Sequence, residues 1–375
     1  MNEKNMISPY DLPTPALLID RDRALENIRM MQEKADRLGF ALRPHIKTHR
    51  MPYFAKLQME AGACGIACAK IGEAEVMADA GIGDIFIANE VIGRDKYERL
   101  RDLARRVRVR AGIDNVVQLA QMEEAFEGEK PLEVLIEYEV GEVRSGVVED
   151  WQLTGLVSAI KASRNVVLKW IFSHEGHTYK AKDAADCRAK AKAAYERTVR
   201  AADIIRSMGV DIDTVSIGAT PSVMLCDEPE QYEGVTELRL GTYIFFDVGQ
   251  SNAIGDFSRC AATVLASVIS KPYGDRVVLD AGAKALVSQN RPSGICATNG
   301  FGAVKGAEHI TVDNLYDEYA VLNSAEFRDG VQIGDKVGII PSHICPTVNL
   351  YDKAYLVSGG RVIGEIPVAC RGRSV

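Results

Sequence analysis

Two patterns of apolar and polar positions divide this chain. In the first, short strand-like apolar runs alternate with amphipathic stretches of helical period. The runs fall at Phe40–Leu42, Gly65–Ala67, Asp84–Ala88, Val107–Ala111, Leu132–Tyr138, Leu168–Phe172, Thr214–Ile217 and Glu237–Leu240. Helical stretches precede and separate them, at Leu25–Leu38, Tyr53–Glu60, Ile71–Ala80, Lys96–Leu103, Asn115–Phe126, Trp151–Ala162, Ala181–Met208 and Ser222–Cys226. This alternation predicts an α/β fold, a (β/α)8 TIM-type barrel over residues 21–250. The pattern changes near Gly249. The later runs are β-branched and separated by turns: Ala261–Ser270, Arg276–Asp280, His309–Val312, Tyr319–Asn323, Lys336–Ile340 and Arg361–Ala369. They predict a mostly antiparallel C-terminal β domain over residues 251–375, joined by the N-terminal segment 1–20 through a strand at Ala16–Ile19.

Composition narrows the class. A chain of 375 residues is long enough for one large domain and a smaller one, and 47% hydrophobic with 26% charged residues is the balance of a soluble globular protein. A net charge of −7 argues against a nucleic-acid or anionic-membrane surface. No apolar run is long enough to span a bilayer, and Met1–Asn5 carries no signal-peptide pattern, so a cytoplasmic protein is expected. The eight cysteines are scattered without CxxC spacing, which is not a disulfide framework.

Function in such barrels gathers where strands end and loops begin. Lys47 sits just past the first barrel strand, in Arg43-Pro44-His45-Ile46-Lys47-Thr48-His49. It is either a solvated loop lysine or one held to form a Schiff base with a carbonyl cofactor. Arg144, after the strand ending at Tyr138, could anchor a phenolic or carboxylate oxygen or form a surface ion pair. His174, His177 and Tyr179 share one loop; either histidine could act as general base. Gly218, Ala219 and Thr220 follow a strand and open a helix, a place for a phosphate or simply a polar turn. Tyr243, past the last barrel strand, is a candidate cofactor contact. His343 and Cys345, two apart in an expected extended segment, would face one side, and imidazole with thiolate suits zinc.

Taken together, six stretches resemble the D-threonine aldolase and D-serine dehydratase family, the fold-type III pyridoxal-phosphate enzymes related to alanine racemase. They are Arg43–His49, Gly72–Glu75, Gly141–Val147, His174–Tyr179, Leu279–Leu286 and Pro341–Leu350, in one consistent order. The resemblance implies that Lys47 binds pyridoxal 5'-phosphate covalently, that Gly218, Ala219 and Thr220 take its phosphate, and that Arg144 meets its ring oxygen. It implies a divalent metal, zinc or manganese, on His343 and Cys345, with His177 and Tyr179 lining the site. It also implies a homodimer in which the β domain of one subunit helps close its partner's site. The expected reaction is lysis of a D-β-hydroxy-α-amino acid. The His-x-Cys pair resembles the dehydratase branch, which releases ammonia and a 2-oxo acid from D-serine or D-threonine. Retro-aldol cleavage to glycine and an aldehyde is the alternative, and an amino-acid racemase the next. Two further readings are a non-catalytic cofactor-binding protein and a metal-dependent barrel enzyme without organic cofactor.

Overall fold

The fold was obtained as a computed structural model, which describes residues 7–375; the expectation of no leader at Met1–Asn5 lies outside the described residues. The chain divides into two compact units. One comprises the chain up to Met30 with Thr48–Tyr53 and Thr242–Arg371, the other Met31–Lys47, Phe54–Gly241 and Gly372–Val375. Helix α1 (Arg21–Leu38) carries the chain from the first unit into the second.

The second unit is a parallel barrel. Its strands are β2 (Ala41–Leu42), β3 (Ile66–Cys68), β4 (Asp84–Glu90), β5 (Arg108–Ile113), β6 (Leu132–Glu137), β7 (Val166–Phe172), β8 (Thr214–Ile217) and β9 (Glu237–Leu238). From β3 to β9 each neighbours the next in sequence, and β9 pairs with β2, Ala41 opposite Glu237. The remaining seam closes through backbone: the Cys64 N–H donates to Leu42 O at 2.9 Å and the Ala67 N–H to Pro44 O at 2.8 Å. The intervening helices are α2 (Pro52–Glu60), α3 (Ile71–Asp79), α4 (Arg94–Ala104), α5 (Val116–Ala125), α6 (Asp150–Ala162), α7 (Ala184–Ser207) and α8 (Thr220–Leu225). Their starts follow local chemistry. The Asn115 side chain accepts from Val117 N and Gln118 N, and the Asp183 carboxylate accepts from Asp186 N, which supplies acceptors for helix-opening amides.

The barrel interior is filled by aromatic rings and paired charges. Ala67, Phe86, Leu135, Trp170 and Phe172 form one buried cluster. The Arg110 and Arg43 guanidinium carbons lie 3.9 and 5.0 Å from the Trp170 ring centroid, and that of Arg239 lies 4.9 Å from Phe172. Arg43 donates to Glu237 at 2.8 Å and to Asp84 at 2.7 Å. Arg110 donates to Asp84 and Glu133. Burial alone would depress the Arg43 pKa, but Glu237 and Asp84 beside it hold it above its ordinary value.

The other unit is built on a second sheet. Its strands are β1 (Ala16–Asp20), β10 (Ala262–Ser270), β11 (Arg276–Leu279), β12 (Gly302–Val304), β13 (Ala307–Thr311), β14 (Asn314–Leu315), β15 (Ala320–Asn323), β16 (Lys336–Pro341), β17 (Lys353–Ser358) and β18 (Arg361–Pro367). The main order is β13-β12-β16-β10-β1-β17-β18, with β11, β15 and β14 extending from β10. Pairing is antiparallel except for β1 with β17, where Leu18 lies opposite Tyr355. Val264, Ala266, Val268, Val277, Leu279 and Ile339 lie in its main core. The unit also holds three short helices that the apolar pattern did not reveal: α9 (Val248–Ile254), α10 (Ala325–Gly330) and α11 (Ile344–Val348). Among the described residues no helix is long and apolar enough to cross a membrane.

Glu237 is fully enclosed, and its removal strands a buried guanidinium. Glu237→Ala is expected to lower unfolding stability by about 3–5 kcal/mol, and Glu237→Gln by less, read from urea midpoints. Equal midpoints for wild type and Glu237→Ala would mean that the seam does not depend on this pair.

Candidate active site

At the mouth of the barrel, strand ends bring cations and imidazoles together. Lys47 lies in a 3-10 turn, Ile46–Thr48, directly after β2, and its backbone N–H points to His45 Nδ1 at 3.4 Å. His45 is buried, as is most of His174, at the end of β7. The pKa of each is pushed well below the usual imidazole value, first by burial and then by the Lys47 charge, with Arg239 or Arg144 adding to it. Both rings are therefore neutral near pH 7. His174 Nδ1 lies 3.0 Å from Gly218 O, so Nδ1 carries the proton and Nε2 is the nitrogen able to accept one. Nε2 in turn lies 3.5 Å from Glu142 Oε2.

Loops after β6 and β7 interlock around these groups. A Cβ on Gly141 would sit 3.0 Å from the His177 ring, and one on Gly176 would collide with the Glu142 carboxylate. Only glycine allows either approach. The Tyr179 ring stands edge-on to His174, with centroids 6.3 Å apart. Arg144 Nη2 donates to Glu137 Oε1 at 3.2 Å, and Ser145 Oγ to the other oxygen at 3.0 Å. Glu137 is also hydrogen-bonded to Glu90, across from the end of β4. Burial and the neighbouring carboxylate push Glu90 above the ordinary carboxyl range, while its hydrogen bond and Arg144 pull Glu137 below it, against burial. One proton is shared and resides on Glu90.

The proposed phosphate loop has an unexpected anchor. The Gly218 N–H is taken by Glu175 Oε2 at 3.1 Å. Glu175 is fully buried and also accepts from Ser222 Oγ at 2.8 Å and Tyr195 OH at 3.2 Å. The amides of Ala219 and Thr220, which open α8, lie outside the helix ladder and are the ones suited to an anion. Glu175, Glu137 and His45 are site-shaping residues to which the sequence reading gave no role, although His45 and Glu175 lie inside quoted stretches and Glu137 within the run Leu132–Tyr138.

Tyr243 lies in the other unit, fully buried in a 3-10 turn, Thr242–Ile244. That unit also carries His343 and Cys345, and here the sequence expectation is corrected. The pair does not lie in an extended segment: His343 is the N-cap of α11, and Cys345 lies in its first turn. Helix entry, rather than strand alternation, sets their relation. His343 Nδ1 donates to Gln289 Oε1 at 3.1 Å, which leaves Nε2 as the nitrogen that could take a metal. Thr48 Oγ1 and Thr242 Oγ1 lie 3.2 and 3.8 Å from Cys345 Sγ. Among the described residues no third His, Cys, Asp or Glu completes a cluster. A metal here would have two protein donors and keep positions for water or substrate.

The residues fit the groups that the motifs imply. The barrel mouth gathers Lys47, Arg144 and Arg239 around neutral imidazoles, a field for an anionic cofactor. His177 Nδ1 is buried there without a hydrogen-bond partner, a polar demand that a ligand can meet.

Comparison with known proteins agrees. Residues 19–248 match the family described as alanine racemase, N-terminal domain, and residues 261–357 the putative serine dehydratase domain. The chain is 34% identical to D-threonine aldolase of Arthrobacter sp, over 96% of this chain and 93% of the relative. It superposes on D-threonine aldolase from Filomicrobium marinum with a TM-score of 0.88 at 31% identity, covering 98% of each chain. D-threo-3-hydroxyaspartate dehydratase from Delftia sp. HT23 superposes at 0.88 with 26% identity, over 96% of this chain and 98% of that one. A D-threo-3-hydroxyaspartate dehydratase is also solved as a histidine-to-alanine mutant and as a cysteine-to-alanine mutant two positions further on, the latter in metal-free form. An alanine racemase-like barrel with a β domain is thus the class of this protein. The chain belongs to the D-threonine aldolase and D-serine dehydratase family and is a pyridoxal-phosphate-dependent lyase of that type.

The shared proton sets a pH dependence. Native Glu90 stays protonated where the unfolded chain has lost the proton, so its contribution is complete below the ordinary carboxyl pKa and is lost as pH rises above it. Glu90→Gln fixes the neutral form. Between pH 5 and 9 the wild-type urea midpoint is expected to fall more steeply than that of the variant; parallel profiles would show that no proton is shared.

Proposed function

We propose that this chain is a dehydratase of D-3-hydroxy-amino acids, dependent on pyridoxal 5'-phosphate and a divalent metal, zinc or manganese. The observation that carries the reading is the His343/Cys345 donor pair, which has the same residue types and spacing as the histidine and cysteine mutated in a solved D-threo-3-hydroxyaspartate dehydratase. Lys47 would hold the cofactor, Ala219 and Thr220 its phosphate, Arg144 its ring oxygen, and Tyr179 and Tyr243 would pack near it. Bound there, the cofactor supplies an electron sink for charge at the substrate Cα. His343 and Cys345 would hold the metal, which supplies Lewis acidity toward a hydroxyl.

The protein's own groups then have distinct tasks. Lys47 takes the proton from Cα. Arg144 and Arg239, cations near the same imidazoles, would hold an anionic substrate carboxylate. His174 is kept neutral with Nε2 able to accept a proton, and is the better general base of the two loop histidines because its tautomer is set by Gly218 O. His177 lines the loop. D-serine and D-threonine are the first substrates to test. The retro-aldol outcome keeps two observations in its favour, the 34% and 31% identities to two D-threonine aldolases. It would use His174 or His177 to take the hydroxyl proton.

Product analysis decides between them. With D-serine and D-threonine, ammonia and 2-oxo acid are expected, lost with chelator and restored by zinc or manganese. Glycine with an aldehyde would assign the aldolase reaction, and an L-amino acid would assign racemisation. Lys47→Ala is expected to lower turnover by at least about 10²–10⁴-fold. Borohydride reduction is expected to fix the cofactor to Lys47.

A homodimer and a cytoplasmic location belong to the same reading. Val143 is 87% and Trp151 72% exposed on the barrel unit, with Ile92, Val116 and Val117 also exposed, apolar area of the kind that subunit contacts cover. Cys64, Cys187, Cys226 and Cys260 are in no disulfide, which suits a reducing compartment. Light scattering is expected to give twice the 41.0 kDa chain mass; a monomer would withdraw the dimer.

A further inference from the structure

We infer that Asp247 is a positioning residue for the His343/Cys345 pair, fixing the chain between the two donors. Its carboxylate has no exposure to solvent. One oxygen accepts from Gln250 N at 2.9 Å, capping α9. The other accepts from Ile344 N at 3.1 Å, and Ile344 is the residue between His343 and Cys345. A single buried anion thus joins two helix starts, and one of them is the metal-pair turn. A cap alone needs one oxygen; the second bond is what ties Asp247 to the donors.

Independent backbone evidence agrees. Phe246, directly before Asp247, is fully buried at φ +51°, a left-handed conformation that a bulky side chain rarely adopts. Strain of this kind persists where the surroundings over-determine it. Here they do: Phe246 N donates to Thr242 O at 2.8 Å, Ala261 N to Phe245 O at 2.8 Å, and Asn27 Nδ2 to Ile244 O at 3.1 Å. The turn so held presents Asp247 to Ile344 N and Thr242 Oγ1 toward Cys345 Sγ. From the opposite side, Gln289 orients the His343 ring and its carbonyl accepts from Ser342 Oγ at 2.9 Å. Thr347 Oγ1 closes the turn on His343 O at 2.8 Å. Gln289 sets the ring; Asp247 sets the spacing of ring and thiolate.

The inference rests on the metal reading proposed above, and the test separates the two. Zinc affinity is measured on the full chain by competition with a chromophoric chelator, and the cobalt-substituted protein is examined for its thiolate-to-metal absorption band. Asp247→Ala is expected to weaken zinc binding about 10–100-fold and to shift or weaken that band. Asp247→Asn keeps one acceptor and is expected to fall between, and it stands in should the alanine variant not fold. Hydrogen exchange at the Ile344 amide is expected to quicken in either variant without metal. Ser324→Ala removes the cap of α10 in the same unit, and is expected to lower the urea midpoint with zinc affinity unchanged. Wild-type zinc affinity and cobalt spectrum in both Asp247 variants would overturn the positioning role and leave only a helix cap. A wild-type chain that takes up no zinc, manganese or cobalt would overturn the metal reading and this inference with it.

Discussion

A closed parallel barrel must be filled from inside, and here the filling is built around the buried ion pair of Arg43 and Glu237. These residues lie beside the neighbouring strands β2 and β9, at the first and last positions of the barrel order. Two charges taken out of water are costly unless further hydrogen bonds complete them. Asp84 completes Arg43, and Ser216 Oγ completes Glu237 at 2.7 Å while itself accepting from Arg239 at 2.8 Å. Trp170, Phe86 and Phe172 supply the flat faces that cover the guanidinium planes. The strand ends that carry Lys47, Glu137, His174 and Gly218 are held in register by this interior.

The electrostatics at the barrel mouth follow from the same economy. Arginines that fill the barrel add to the field of Lys47 and Arg144, and burial removes the water that would screen it. The imidazoles of His45 and His174 answer by staying neutral. Glu90 keeps its proton for a different reason, its burial beside the Glu137 carboxylate. A protonated Glu90 among these groups repels an incoming anion less than a carboxylate there would. Glu175 carries the matching structural duty, since its three donors hold the start of α8 in place.

The β unit solves a different problem. Two donors on a short helix of five residues, Ile344–Val348, have little intrinsic order, because an isolated turn is marginal. Packing of Ile344 and Val348, both fully buried, secures the turn from below, and polar contacts from Gln289, Thr347 and Asp247 secure it from its start. Order at the donors is therefore supplied from residues distant in sequence.

Periodicity was sufficient for the barrel. Eight apolar runs, each preceded by a helical repeat, have few other ways to bury their faces, and the observed strands lie within a few residues of the runs. It was weaker for β12 and β14, which are three and two residues long, and for the short helices α9 and α11, because so few positions cannot display a period. The candidate chemistry was legible as residue types at strand ends, since Lys47, Arg144, His174 and Gly218 all follow apolar runs. What only the tertiary structure decided was partnership. That Gly218 gives its amide to Glu175, that Glu90 and Glu137 share a proton, that His343 opens a helix, and that Asp247 reaches Ile344 all depend on contacts between segments far apart in the chain. Local pattern encodes which face of an element is buried, but hydrogen-bond partners across such separations are set by packing, and sequence order alone carries no record of them.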